Sequence, residues 1–93
     1  MIMKLILILI TIVYIMEITL ANAVKGIPMV VTKLQSDHYY LKRLQALGFL
    51  VGEKVEVLTK SKLGQAPIIV RIGRSRFALR YSEALQINVR LAA

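Results

Sequence analysis

The chain has 93 residues, enough for one domain and too few for two, because a single core of useful size consumes most of such a length. It contains no cysteine, which excludes disulfide staples, thiolate metal sites and thiol nucleophiles and leaves stability to packing alone. Thirteen Lys and Arg against five Asp and Glu give a net charge of +8, which favours acidic partners: nucleic acid, anionic lipid headgroups or an acidic protein surface.

The first segment is apolar. Residues 5–16, LILILITIVYIM, carry no charge and stop at Glu17, twelve residues where a helix spanning a bilayer takes roughly 20. Three readings fit it. Lys4, the apolar run and Ala21-Asn22-Ala23 have the outline of a secretory signal or anchor; the run could pack as an additional strand; or Met16 is the initiator and residues 1–15 are an upstream extension of the reading frame. The last is preferred, because cleavage after Ala23 would discard EITLANA, whose Ile18 and Leu20 alternate with polar neighbours as a first strand would. The domain is accordingly placed at 16–93, with residues 1–15 an apolar extension. Without them the chain loses only Lys4 and keeps a charge of +7.

Gly26 and Pro28 predict a turn after this first strand. MVVTKL, residues 29–34, is rich in β-branched residues and predicts a strand, and Ser36 or Asp37 can then cap a helix. Tyr40, Leu41, Leu44 and Leu47 fall at helical spacing, with Lys42, Arg43 and Gln45 on the other face, so one amphipathic helix is expected over about 37–47. Gly48 stands where a helix-ending glycine belongs, and Lys42 and Arg43 lie where positive charge suits the helix dipole.

Alternation then predicts strands at 53–60 (EKVEVLTK), 68–72, 75–80 and 86–91, separated by a loop at 61–67, a turn at Gly73 and a short helical turn near 82–85. Five to six short strands with one helix make a mainly β domain. A closed barrel is expected, since closure removes edges that so small a sheet could not otherwise cover.

The run 43–57, RLQALGFLVGEKVEV, followed by Leu63-Gly64, Pro67-Ile68 and Phe77-Ala78-Leu79-Arg80, resembles the FeoA family. The similarity covers residues 16–91 in order, with Arg43, Leu44, Leu47, Gly48, Phe49, Gly52, Val55, Val57, Leu79, Arg80, Glu83 and Ala84 at matching positions. The loop departs from the family pattern: KLGQAPI has Lys for Pro, Gln for Asp and one extra residue, and residues 1–15 have no counterpart. The resemblance implies a small SH3-like β-barrel and a cytoplasmic partner of the ferrous iron transporter FeoB. The same module occurs at the C-terminus of iron-dependent repressors, but no DNA-binding helices precede it in this sequence.

The residues themselves argue against catalysis: no nucleophile and base stand at useful spacing, no carboxylates pair, and no cofactor motif is present. His38 beside Asp37 invites a metal reading, yet no further ligand accompanies them, and a solvent-facing helix start is preferred. Gly48 and Gly52 match no phosphate-binding motif. Two features remain for partner binding. One is the helix-to-strand corner of Leu47, Gly48, Phe49, Leu50 and Val51, which would be a docking patch if partly exposed, although core packing is the commoner fate of such residues. The other is the basic set Lys60, Lys62, Arg71, Arg74, Arg76 and Arg80, in which Arg74, Arg76 and Arg80 share a parity and are expected on one strand face. A solvated face competes with three ligands for that set: an acidic transporter domain, anionic phospholipid, or nucleic acid. Nucleic acid ranks last because Phe77 and Tyr81 have the opposite parity and cannot interleave with the charges. The leading expectation is a non-enzymatic accessory of ferrous iron uptake, cytoplasmic and peripheral to the inner membrane, docking on FeoB; self-association stays open. The alternative is a standalone SH3-like regulatory or nucleic-acid-binding module.

Overall fold

The computed structural model describes residues 2–35, 38–61 and 66–92, and of His38 the backbone only. Its elements in chain order are helix α1 (Ile2–Ile15), strand β1 (Ile18–Thr19), a 3-10 turn (Leu20–Asn22), β2 (Met29–Leu34), helix α2 (His38–Leu47), β3 (Lys54–Thr59), β4 (Ile68–Ile72), β5 (Ser75–Leu79), helix α3 (Tyr81–Ala84) and β6 (Ile87–Leu91). The capping positions 36 and 37 and the centre of the atypical loop, residues 62–65, lie outside the described residues.

The strands form one antiparallel sheet in the order β1-β6-β2-β3-β4-β5. Inward positions alternate as the period of two requires: Met29 and Val31 of β2, Val55 and Val57 of β3, Ile68 and Val70 of β4, and Ile87 and Val89 of β6 are buried. Leu44 of α2, Phe49 and Ala84 complete the same cluster. The β2–β6 register shifts between Val31 and Lys33 and the β3–β4 register between Val57 and Thr59. Such shifts bend a strand and increase its twist, which curls the sheet around its core.

Three expectations are corrected. The barrel is not closed by hydrogen bonds among the described residues: β1 and β5 are its two edges. The reason is local. The first strand expected in EITLANA pairs with β6 only at Ile18 and Thr19, because the chain winds into the 3-10 turn that sends Leu20 and Ala21 into the core. α3 packs against this turn, so the end of the core is covered by side chains instead of a ladder. Finally, the apolar N-terminal run is a helix, not an additional packed strand; twelve uncharged residues, of which only Thr11 and Tyr14 carry a polar group, lack the alternation a half-buried strand needs. At 14 residues, α1 is about 21 Å long, and no described helix is long and apolar enough to cross a membrane.

Candidate functional site

The corner between α2 and β3 is built by two glycines. Gly48, at φ 104°, ends the helix, and its N–H bonds the Gln45 carbonyl at 3.0 Å while the Phe49 N–H bonds that of Leu44 at 3.0 Å. Residues 50–53 then form a tight turn closed by the Glu53 N–H on the Leu50 carbonyl at 3.0 Å. Gly52 occupies its third position at φ 93°, where a side chain would be strained. The turn is tied to β2 by the Gly52 N–H on the Val31 carbonyl (2.8 Å) and the Val31 N–H on the Glu53 carbonyl (2.9 Å). Leu50 and Val51 are thereby held out at the tip, 47 % and 67 % exposed.

Phe49 does the opposite. It is fully buried at 0 % exposure and so cannot touch a partner; the sequence placed it in the docking patch, and the structure places it beneath, with its ring 6.3 Å from that of Phe77. Leu47 is half-buried against the core. Gly48 lies over the end of β4, where a Cβ would stand 3.8 Å from Ile72 Cγ2. Of the five corner residues, then, Leu50 and Val51 present the apolar surface and the other three support it.

The contacts Phe49–Phe77 and Gly48–Ile72 join the corner to the β4–β5 hairpin, whose two-residue loop is Gly73 and Arg74. Arg74 and Arg76 are exposed, and among the described residues neither enters an ion pair. Arg71, directly across from Arg76 in the ladder, is paired instead with Glu56 of β3 (Nη2 to Oε1, 3.0 Å). β5 runs from Ser75 to Leu79, so Arg74 lies in the hairpin turn and Arg80 is the extended residue that follows the strand and precedes α3; Arg74, Arg76 and Arg80 are exposed, while Phe77 and Leu79 face the core. From Arg74 to Arg80 is about 20 Å along an extended chain. Arg74 sits in the loop two residues after Ile72, the residue beneath Gly48, and Arg80 stands at the other end of β5.

At that far end lies a contact the sequence did not reveal. Glu83 is the one buried charged residue among those described, 4 % exposed. Its carboxylate accepts from the Arg80 backbone N–H at 3.0 Å and from the Arg43 guanidinium of α2, which is 48 % exposed. Arg43 therefore staples α2 to α3 and has a nearer partner than the helix dipole. Lys60 is also structural: its ammonium donates to the Ala23 carbonyl at 2.8 Å and reaches that of Ala21 at 3.4 Å. Lys62, Asp37 and the His38 imidazole lie outside the described residues. Among the described residues no three His, Cys, Asp or Glu gather as metal ligands.

A sequence model of the FeoA domain matches residues 18–91, and comparison with curated proteins finds no match. Among solved structures, the chain is similar to an iron uptake regulatory protein, FeoA, at 26 % identity and TM-score 0.76, covering 83 % of this chain and 100 % of that one. It is similar to a zinc-complexed FeoA from Stenotrophomonas maltophilia, described as a prokaryotic SH3 domain protein, at 37 % identity and TM-score 0.70, covering 77 % and 88 %. A third is the iron(II) transport protein A of Clostridium thermocellum, at 31 % identity and TM-score 0.74, where 81 % of this chain matches 46 % of that one. A manganese-dependent transcriptional repressor shares the fold at 20 % identity and TM-score 0.72. The match across β1 to β6, together with the sheet and the glycine-built corner, identifies this chain as a member of the FeoA family, SH3-like in fold and associated with ferrous iron transport.

Proposed function

We propose that this chain is a non-enzymatic accessory of ferrous iron uptake that docks from the cytoplasmic side on the FeoB transporter. The reading is supported by two unlike exposed features on elements joined through Phe49–Phe77 and Gly48–Ile72: Leu50 and Val51 at the turn tip, and Arg74 and Arg76 of the β4–β5 hairpin, outside any ion pair among the described residues. An apolar knob flanked by uncompensated positive charge suits an acidic protein surface with a hydrophobic pocket, where the knob supplies affinity and the charges supply orientation and encounter rate. Leu47, Gly48 and Phe49 set the geometry from behind. Arg80, at the other end of β5, is outside this patch.

Leu50→Glu, and separately Arg74→Glu with Arg76→Glu, remove the two halves while touching no buried group. Each is expected to weaken capture of FeoB by the full chain and to lower transporter-dependent iron accumulation, with an unchanged melting temperature. Normal capture and uptake by both variants would refute the docking surface.

A further inference from the structure

Helix α1, IMKLILILITIVYI, has no apolar stripe and no polar back. Lys4 is its only charge, none of its residues is buried, and eleven large apolar side chains stand between 48 % and 78 % exposed on every side of it. A helix lying on a protein domain needs one apolar face; one that is apolar all round needs an apolar medium around it. A second copy of the chain, or a groove on a partner, would cover a seam and leave the remainder in water.

Three further observations point to the same medium. The hydroxyl of Thr11 donates to the Leu7 carbonyl at 2.8 Å, so the helix carries no unpaired hydroxyl at its centre, which hydrocarbon would penalise. The apolar surface also continues onto the loop before β2: Val13 and Met16 line a hollow with Val24 and Ile27, both exposed. Basic and aromatic groups ring that base. Lys25 lies between Val24 and Ile27 in the chain, and the Arg90 guanidinium stands 6.0 Å from the Tyr14 ring centroid, a pairing suited to a headgroup layer.

We propose that α1 inserts into a phospholipid bilayer carrying anionic headgroups, with the Val24 and Ile27 hollow, Tyr14, Lys25 and Arg90 at headgroup level. The net charge of +8 complements such a surface. The 14 residues of α1 give about 21 Å against a hydrocarbon core of about 30 Å, so α1 by itself enters the bilayer without crossing it. Lys4 lies near the deep end, its flexible stem pointing toward the helix N-terminus and the far headgroups. This inference is separate from the docking patch, which uses no residue of α1.

The test is cell-free synthesis of the full chain in the presence of vesicles of phosphatidylcholine and phosphatidylglycerol, followed by flotation at low salt and at about 1 M NaCl, where the Debye length is about 3 Å. The wild type is expected to float in both. The variant Leu5→Glu, Ile8→Glu, Ile12→Glu changes exposed positions only, so the domain should melt unchanged while its floated fraction falls about tenfold or more. Insertion is overturned if the wild type stays at the bottom, if it floats only at low salt, or if the variant floats equally well. It is equally overturned if the protein recovered from cells begins at Met16, the start preferred from sequence, or after Ala23, since α1 would then be untranslated or a leader removed on processing.

Discussion

Glu83 shows how one buried carboxylate can organise residues far apart in the chain. At 4 % exposure its carboxylate is almost cut off from water, and its two donors come from Arg80, the residue that opens α3, and from Arg43, 40 residues away. Arg43→Gln leaves only the Arg80 N–H, and the domain is expected to lose about 1–2 kcal/mol in urea unfolding, less than the roughly 3–5 kcal/mol of a fully buried pair because Arg43 is half in solvent. Glu83→Gln keeps an acceptor for the same N–H and should cost less than Glu83→Ala. Phe49→Ala belongs with the large core truncations, about 3–5 kcal/mol, and Gly52→Ala strains a turn at φ 93° by about 1–3 kcal/mol; thermal or denaturant melts measure both. Phe49 is buried and Gly52 has no side chain to present to a partner. A docking defect in their variants should track stability, whereas one in Leu50→Glu should not.

The elements were legible wherever a period ran long enough. α2 and strands β2, β3, β4 and β6 fall within a residue or two of the alternation or helical spacing that predicted them, because one face of each is buried and the pattern records that face. The misses have a common cause: they depend on how segments meet. β1 shortened to two residues because Leu20 and Ala21 turn inward through the 3-10 turn, which local alternation of Ile18 and Leu20 imitates. Arg74 falls in the hairpin turn and not on β5, so strand parity alone does not fix where it points. The pairing of Arg43 with Glu83 has no local signature, since nothing in sequence says which of five acids α2 will meet. The candidate surface was legible in its residues and not in its division: Leu50 and Val51 outward, Phe49 inward.

At the scale of the whole molecule, β3 is the strand on which two different kinds of pairing meet. On one side it continues into β4 and β5, each connected to the next along the chain; on the other its ladder with β2 is short, Met29↔Val55 and Val30↔Lys54. β2 in turn depends on β6, through pairs such as Met29↔Leu91 that close most of the domain's length. The order of assembly follows from this. Local contacts form before distant ones because less loop-closure entropy opposes them, so the β3-β4-β5 meander with Phe49 and Phe77 is expected in the folding nucleus, and β6 joins last. Val70→Ala should then slow refolding in stopped-flow experiments, while Val89→Ala should chiefly accelerate unfolding. On a ribosome the consequence is temporal: β6 emerges after every other strand, so β2 waits with an open edge until then, and that interval is when the nascent chain is most exposed to strand-seeking neighbours.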